Sequence, residues 1–497
     1  MEPLTTIAPE LSPEAITRIE AETRTLMNPA ESSSNALEPS PPEEKQTLEI
    51  MPNDSEHARQ FVGFHGHRFR YIFDLKSWLV WDETAGWVPA IEPDILEVAR
   101  DYVDDQIAAS LKAMEGGDDD DARKAMKAAA KYGDASKLHA LIYLTKSDPK
   151  IIASILDIDA DPWRAGVANG SIKLTTGEFQ KPDRAYLVTK RLACSYDPRA
   201  TCPTWDSFMA KVQPDPEVRA MLKRWAGYCL TGSVQEQKFV FFHGGGSNGK
   251  STFLETIKFL FGGYAQGAPD KLIMTNPRGN DHANEVARLP GVRFLLGCEV
   301  GETAKLNEEL VKAIVSGDTV TGEPKFCTSF DFKSSAKLNL FGNHRPIVSG
   351  TDHGFWRKIL LVPWPVKIQD SEKDKTLPDR LKLELPGILN WCLEGLADWR
   401  DRGLSQPRCI DAATAEYRSD SDLLGDFLTD HIDTAADGCR LTKPEVYKRY
   451  REWAEEGGIR MLWSSKTFNA KMKDRGIEEG RSNGAKIWKG LGWISNF

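Results

Sequence analysis

A glycine-rich loop carries the most specific chemistry in this sequence. The eight residues from Gly244 to Ser251 read GGGSNGKS and match G-x-x-x-x-G-K-[ST] at each fixed position. In such a loop the backbone N–H groups and the lysine hold nucleotide phosphates, and the hydroxyl helps to hold Mg²⁺. We therefore predict that Lys250 is catalytic and that Ser251 is a Mg²⁺ ligand. The predicted ATP-binding residues are Gly244, Gly245, Gly246, Ser247, Asn248, Gly249, Lys250, Ser251 and Thr252.

The segments on either side of the loop predict the elements that must position it. Residues 238–243 read KFVFFH, which indicates a buried strand. Phe253, Ile257, Leu260 and Phe261 follow at helical spacing. The strand, loop and helix together favour a phosphate-binding site over the alternative, a glycine-rich turn before an amphipathic helix.

Two later segments end in polar residues that suit the same site. Residues 292–298 predict a second strand, and Glu299 after it would bind Mg²⁺ or polarise the attacking water. Glu302 is a second catalytic candidate, although it would also cap the helix predicted to follow it. Residues 336–341 predict a third strand, and Asn343 would face the γ-phosphate because ligands bind at the carboxyl edge of open α/β sheets. An ordinary turn asparagine is the alternative.

A basic pair precedes the next apolar strand. Arg357 and Lys358 lie directly before residues 359–362, which read ILLV. A cation on the rim of such a sheet can act as an arginine finger on the ATP of a neighbouring subunit. We predict this role for Arg357, and an ordinary surface arginine is the alternative.

The order and spacing of these motifs resemble the superfamily 3 helicases, and more narrowly the phage, plasmid and poxvirus primase–helicases. The resemblance extends over about residues 59–497. It rests on the segments ADPWRAGVANGSIKLTTGE, CPTWDSFM, WAGYCLTGSVQEQKF, GGGSNGKSTF, KLNEELVKAIVSGD, FDFKSSAKLNLFGNHRP, GTDHGFWRKILLVPW and LPGILNWCLEGL. It implies a ring, usually a hexamer, that hydrolyses ATP between subunits and pulls single-stranded DNA through its pore. Carried over by position, Lys250 and Ser251 bind phosphate and Mg²⁺, Glu299 is the Walker B acid and Asn343 is the sensor.

Two positions depart from the family pattern. Many relatives have two arginines where this chain has Arg357 and Lys358. The resemblance therefore favours Arg357 as the finger and leaves Lys358 as the alternative. Cys298 stands where some members carry another acid, which leaves open how Glu299 and Glu302 divide their roles.

Basic and aromatic residues between the second and third strands predict a contact with single-stranded DNA. The resemblance places the pore hairpin at residues 320–337, with Lys325 and Phe326 nearest its tip and with Lys333 and Lys337 further along. Cations suit the phosphates and aromatic rings suit the bases of a single strand. Solvated lysines on a plain hairpin are the alternative.

The C-terminal segment predicts three helices and a terminal hairpin, which suggest a winged-helix domain, and the resemblance implies the same module. Lys466, Lys471 and Lys473 on its third helix would contact DNA phosphates. A protein-contact module is the alternative. We predict that Trp488 and Trp493 belong to its core.

Aromatic residues are also frequent near the start of the globular part. Residues 69–73, 78–82 and 86–88 alternate aromatic with turn residues, which predicts a short β-meander. Aromatic rings beside Arg68 and Arg70 would stack on bases. We favour a packed β-core, because aromatic residues at strand spacing usually pack against their neighbours.

The predicted fold is an α/β P-loop AAA+-like ATPase core, preceded by an α+β N-terminal domain and followed by a winged-helix domain. The predicted divisions are a disordered acidic tail (1–58), an α+β accessory domain (59–205), a helical linker (206–235), the ATPase (236–370), a helical extension (371–420) and the winged-helix domain (421–497).

Charge and cysteine usage limit the functional classes. Residues 1–58 hold twelve acids and three bases, so the other 61 acids and 61 bases balance and the net charge of −9 lies in the tail. A neutral body argues against a protein that coats nucleic acid by bulk charge. Eight cysteines without a CxxC pair favour reduced thiols over zinc or disulfides. With no apolar run of membrane-spanning length, we expect no membrane partner and a cytoplasmic location, in the host cytoplasm if the protein is phage-encoded.

These observations predict an ATP- and Mg²⁺-dependent helicase that acts on single-stranded and forked DNA as a homo-oligomer in phage or mobile-element replication. We find no carboxylates on adjacent predicted strands of the kind that a primase centre needs, so we expect a separate primase or polymerase. The alternative is a DNA-stimulated ATPase that loads or remodels replication proteins without unwinding. A small-molecule kinase fits less well, because a basic C-terminal module has no purpose there.

Overall fold

The N-terminal module has its own core. This computed structural model describes residues 53–115, 119–275, 283–301, 304–348, 353–434, 439–457, 462–482 and 484–494, so nearly all of the predicted acidic tail lies outside it. The module contains α1 (Asp54–His65), β1 (Phe69–Ile72), β2 (Ser77–Asp82), β3 (Gly86–Ala90), α2 (Glu92–Glu115), α3 (Asp119–Tyr132), α4 (Ala135–Thr145) and β4 (Ile152–Ala153). Its sheet has the order β3-β2-β1-β4. Phe69, Trp78 and Trp87 are buried, which confirms the predicted β-core.

A small antiparallel sheet and two helices connect this module to the central sheet. They are β5 (Arg164–Val167), β6 (Gly170–Lys173), β7 (Glu178–Gln180), α5 (Pro203–Val212) and α6 (Pro216–Cys229). Trp163, Trp205 and Trp225 share one hydrophobic core with the central sheet. The predicted boundary between residues 205 and 206 therefore falls within α5 and inside a continuous core.

The centre of the chain is a five-stranded parallel sheet with the order β14-β8-β13-β10-β9. Its elements and their connections are β8 (Phe239–His243), α7 (Lys250–Phe261), β9 (Ala265–Ala268), α8 (Asp270–Ile273), α9 (Ala283–Val286), β10 (Phe294–Glu299), α10 (Glu308–Ser316), β11 (Thr319–Gly322), β12 (Phe330–Lys333), β13 (Lys337–Gly342), α11 (His353–Trp356) and β14 (Ile359–Pro363). The three strands predicted around the glycine-rich loop are confirmed, with ends shifted by one or two residues.

Both faces of this sheet are covered, which explains the apolar runs of β8 and β14. Val240 and Phe242 of β8 pack in the core that contains α7. Phe239 and Phe241 of the same strand pack in the core that contains α10. Strands buried on both faces are apolar throughout rather than alternating.

The predicted helix over residues 381–402 is two helices, α12 (Leu377–Leu383) and α13 (Leu385–Arg402), and α14 (Arg408–Asp420) follows. Pro386 is the physical reason for the break, because proline supplies no N–H and disfavours helical backbone at the residue before it. Helix α13 packs closely on α6, since a Cβ at Gly395 would lie 2.0 Å from the Lys223 carbonyl oxygen. In the described part of the chain, none of the helices combines the length and the apolarity needed to cross a bilayer.

The C-terminal module contains the predicted three helices and terminal hairpin. Its elements are α15 (Leu423–His431), β15 (Ile432–Asp433), β16 (Arg440–Thr442), α16 (Lys443–Glu456), α17 (Ser465–Asp474), β17 (Glu479–Ser482), β18 (Ala485–Lys489) and β19 (Gly492–Trp493). Phe427, Tyr450 and Trp488 are fully buried in its core. Trp493 is 40% exposed, so its predicted place in the core is wrong. It lies on β19, which pairs with the two-residue β15.

Candidate nucleotide site

The glycine-rich loop joins β8 to α7 at the carboxyl edge of the parallel sheet. Gly246 and Gly249 adopt φ values of 83° and 84°, which residues with side chains rarely adopt. A Cβ at Gly249 would lie 2.6 Å from Val212, because α5 packs directly against the loop. Lys250 begins α7. The free N–H groups and the positive dipole end of that helix therefore lie at the loop, which is an arrangement that binds anions.

Three of the predicted catalytic side chains meet at this edge. The Lys250 ammonium donates to the Gly244 carbonyl, and its Nζ lies 3.4 Å from Asn343 Oδ1. Asn343 Nδ2 in turn donates to Glu299 Oε1 at 3.1 Å. Desolvation lowers the pKa of Lys250, and the nearby Glu299 carboxylate opposes this shift. The three side chains form one connected polar group, which the order of the strand ends brings together.

A cleft of about 740 Å³ opens at these side chains. Gly246 to Thr252 line it together with Glu299 and Asn343, whereas Gly244 and Gly245 do not. Its volume lies within the range of small-ligand sites. The Ser251 hydroxyl and the Glu299 carboxylate are hard oxygen donors of the kind that Mg²⁺ prefers. The residues present therefore fit a nucleoside triphosphate with its Mg²⁺.

Of the two predicted catalytic acids, Glu299 and Glu302, the structure describes Glu299. Glu299 is the last residue of β10 and contacts Asn343. Glu302 lies outside the described residues. The Cys298 thiol donates to the Ala268 carbonyl at 3.4 Å, so it is engaged with the neighbouring strand β9.

The outer wall of the cleft was not predicted from sequence. Helix α5 contributes Phe208 and Lys211, and the segment after β14 contributes Lys373 and Arg380. The cations are held by nearby acids: Lys211 pairs with Glu372 at 3.7 Å, and the Arg380 guanidinium pairs with a carboxylate on its own segment. These residues are far apart in the chain and share no motif, so only the CPTWDSFM segment gave a signal near this wall.

Trp364, directly after β14, fixes the loop from behind, and this contact was also missed. Its indole N–H donates to the Asn248 carbonyl, and Asn248 Nδ2 donates to the Trp364 carbonyl at 3.3 Å. Asn248 Oδ1 also accepts from the Lys250 backbone N–H at 3.4 Å. Both side chains are buried. These contacts within the protein hold the loop in its conformation.

One residue of the basic pair before β14 is exposed and the other is buried. Arg357 is exposed, whereas Lys358 is 2% exposed and donates to Gln237 Oε1 at 3.2 Å. The pair lies at the amino-terminal edge of the sheet, roughly 20 Å from the loop along the strand direction. Arg357 is therefore the member of the pair that can contact another molecule, and it does not reach the loop of its own chain.

Two families match this chain. Residues 58–214 match the family described as D5 N terminal like, and residues 242–357 match a family of unknown function (DUF5906). A protein of Acanthamoeba polyphaga mimivirus that is named as a candidate helicase is 26% identical over 332 residues, which are 62% of this chain and 34% of that protein. The match to the D5 N terminal like family and this viral relative support a similarity to primase–helicases of the D5 type.

Other relatives come from Frog virus 3 and African swine fever virus. A candidate helicase of Frog virus 3 is 24% identical and covers 50% of this chain and 27% of its own length. A protein of African swine fever virus, named as a candidate primase, is 22% identical over 60% of this chain and 34% of its own length. The chain thus spans about a third of the length of the relatives that it matches. A solved structure of the NrS-1 C-terminal region covers 84% of this chain and 94% of its own, at 9% identity and a TM-score of 0.45.

Strands β11 and β12 form the predicted hairpin. Lys325 and Phe326 are exposed at its tip, and Lys333 is exposed on β12. Lys337 does not belong with them, so its inclusion among the DNA-contacting lysines is wrong. It is buried in β13 and donates to the carbonyls of Thr231 and Ser335. Burial lowers the pKa of the Lys337 ammonium to about 7.

The three predicted lysines of α17 differ in their surroundings. Lys466 is exposed. Lys471 is buried, with its Nζ 4.7 Å from the centre of the Trp463 ring, so it is not placed to meet a phosphate. Lys473 pairs with Glu479 at 2.8 Å. Hydrogen bonds from Lys443 and then from Lys473 lower the pKa of Glu479 to about 2.

Proposed function

We propose that this chain is an ATP- and Mg²⁺-dependent DNA helicase of superfamily 3. It forms a ring, with a hexamer as the expected state, translocates on single-stranded DNA and unwinds duplex during replication. The connected group of Lys250, Asn343 and Glu299 beside the glycine-rich loop is the observation that carries the proposal. The viral relatives named as helicases and primases support an action on DNA. In this proposal the parallel sheet is a P-loop AAA+-like core and the C-terminal module is a winged helix.

Within one subunit, the side chains at the cleft have separate roles. The loop N–H groups and Lys250 hold the β- and γ-phosphates of ATP. Ser251 and Glu299 would hold Mg²⁺, which when bound would supply positive charge to offset the charge that develops on the phosphates. Glu299 orients the attacking water and accepts its proton. Asn343 is hydrogen-bonded to Glu299 and lies near Lys250, so its amide is placed to respond when the γ-phosphate is lost.

Between subunits, Arg357 completes the site of a neighbour. Its exposure and its distance from its own loop both favour action on another subunit's ATP. A guanidinium placed there stabilises the charge of the phosphoryl-transfer transition state. Hydrolysis then depends on the interface, which links the chemistry to relative motion of the subunits.

DNA contact is assigned to two surfaces. The tips of the β11–β12 hairpins, with Lys325 and Phe326, line the pore of the ring, and Lys333 supplies a further cation. Lys473 of the C-terminal module is exposed but paired with Glu479, so the contact is assigned to Lys466, which is also exposed. It would contact duplex phosphates ahead of the ring.

A strand-displacement assay on forked DNA tests the proposal. We expect displacement that requires ATP and Mg²⁺, together with ATP turnover that single-stranded DNA stimulates. Lys250→Ala is expected to abolish both, because it removes the cation from the phosphate site. Turnover without displacement would support the alternative, a remodelling ATPase. Absence of DNA-stimulated turnover under all conditions would contradict both.

Replacing Trp364 with phenylalanine is expected to weaken ATP binding by about five- to tenfold, since it leaves the buried Asn248 carbonyl without its donor. The smaller phenyl ring keeps an aromatic contact with Phe242 and Phe253, so we expect the fold to be retained. The measurement is a titration with a fluorescent ATP analogue. Trp493→Phe, at an exposed tryptophan of the C-terminal module, is the matched control. Unchanged ATP affinity with a lowered melting temperature would show that Trp364 only supports the fold.

A further inference from the structure

The hairpin tip rests on the N-terminal module. Lys76 Nζ donates to the Phe326 carbonyl at 3.1 Å, across 250 positions of the chain. Nearby, Phe330 of β12 packs against a cluster that contains Ile72 and Trp87. Phe330 also packs against the core of the parallel sheet. One polar and one apolar contact therefore fix the hairpin to the β1–β2 end of the N-terminal module.

The β1–β2 turn that makes this contact, residues 73–76, is itself held in place. Its ends are joined by the Lys76 N–H, which donates to the Phe73 carbonyl at 3.2 Å. The Asp74 carboxylate accepts from Ser154 Oγ and from the Ile155 N–H, both at 2.8 Å. Leu75 packs in the same cluster as Phe330. Because hydrogen bonds and packing fix this turn, it presents its remaining side chain, Phe73, in a defined place.

Two aromatic rings are left exposed where the turn and the tip meet. Phe326 is 95% exposed and Phe73 is 58% exposed. Trp78 and Trp87 of the sheet in the N-terminal module are buried by contrast. Lys325 is exposed beside Phe326. Exposed aromatic rings with adjacent cations are the combination that binds bases and phosphates of a single strand.

Backbone strain on both sides of the contact supports a functional role. Phe326 has a φ of 64° and Lys76 has a φ of 49°. Bulky residues rarely adopt positive φ, and such strain concentrates at functional sites. Glycine would adopt either conformation without strain. The phenylalanine ring and the lysine ammonium are present at these two positions despite that cost.

We propose that the turn and the hairpin tip form one binding surface for single-stranded nucleic acid. Phe73 is its second stacking ring, contributed by the N-terminal module. Lys76 positions the tip through the Phe326 carbonyl. The inference rests on the proposed function, because it extends the path of the translocated strand from the hairpin onto the N-terminal module. The surface would contact each strand segment through two rings instead of one.

The test measures binding of a fluorescein-labelled oligothymidine to the full chain by anisotropy, with a non-hydrolysable ATP analogue present. Phe73→Ala is expected to weaken binding by about five- to hundredfold, the effect of losing one stacked base. Phe73→Trp is expected to keep the affinity. Tyr143→Ala is the matched control, because Tyr143 is a 73% exposed ring on α4 of the same module. It is expected to change nothing.

The possible outcomes separate this inference from the proposed function. If Phe326→Ala weakens binding and Phe73→Ala does not, the proposal of a shared surface is wrong, and the hairpin tip alone binds the single strand. If neither variant has an effect, the proposed DNA contact of the hairpin tip is wrong as well. If Phe73→Ala instead dissociates the ring in native mass spectrometry while each ring keeps its DNA affinity, Phe73 is a subunit contact and the inference is overturned.

Discussion

Replacing Arg357 with alanine is expected to lower ATP turnover in the assembled ring by about a thousandfold or more, the range known for arginine fingers. ATP binding should be nearly unchanged, because Arg357 lies at the edge of the sheet opposite its own loop. The reason for the large effect is electrostatic. A guanidinium fixed at an interface stabilises charge that develops only in the transition state.

The measurement combines steady-state turnover with ATP binding and with native mass spectrometry to confirm assembly. Arg199→Ala is the matched control, because the Arg199 side chain is 93% exposed and far in sequence from the site motifs. Mixing Arg357→Ala with Lys250→Ala subunits provides a sharper test. Some interfaces of the mixed ring combine an intact loop from one variant with an intact finger from the other, so partial turnover should return. Full turnover of Arg357→Ala alone would show that the finger is assigned wrongly.

Lys358 provides a contrast at the adjacent position. The sequence alone left the finger open between Arg357 and Lys358, since each is a cation before the same strand. Burial distinguishes them, because a side chain that is 2% exposed and bonded to Gln237 is not presented to another subunit. Which of two consecutive residues faces outward depends on how α11 and β14 join, and that is a property of tertiary structure.

The parallel sheet could be predicted because each of its strands is recognisable from its own short sequence segment. Strands buried on both faces are largely apolar. The loop and Asn343 directly follow two of these strands, and Glu299 is the last residue of a third. Once the strands are parallel, their carboxyl ends must meet at one edge. The positions of these residues could therefore be inferred from the chain order, and the structure places them within one connected group.

The residues that were missed or misplaced depend on contacts between distant segments. Lys337 reads as a basic hairpin residue, but it is the first residue of β13 and lies under α6. Trp364 and Asn248 are 116 positions apart, and no sequence motif indicates that they are hydrogen-bonded to each other. Phe73 and Phe326 belong to separate modules. A pattern along the sequence contains no information on which of two exposed turns will touch.

Replacing Glu299 with glutamine is expected to lower ATP turnover by about a hundred- to ten-thousandfold while preserving ATP binding. The substitution keeps the shape of the side chain and an oxygen that can accept from Asn343 Nδ2, so the polar group beside the loop stays connected. What it removes is the carboxylate that orients the water and accepts its proton. The variant should therefore remain bound to ATP and to single-stranded DNA, and displacement of a forked duplex should stop.

Single-turnover hydrolysis, a titration with a fluorescent ATP analogue and DNA anisotropy on the same preparation measure turnover, ATP binding and DNA binding separately. Glu255→Gln is the matched control, because Glu255 is a 61% exposed glutamate on α7. Loss of ATP binding together with turnover would indicate that Glu299 acts mainly by holding Mg²⁺, since the metal then contributes to affinity as well as to chemistry. If Glu299→Gln keeps full turnover and Glu302→Gln loses it, the catalytic acid is Glu302. In that case the hydrogen bond from Asn343 to Glu299 has only a structural role, and the connected group that supports the proposed function must be reassigned.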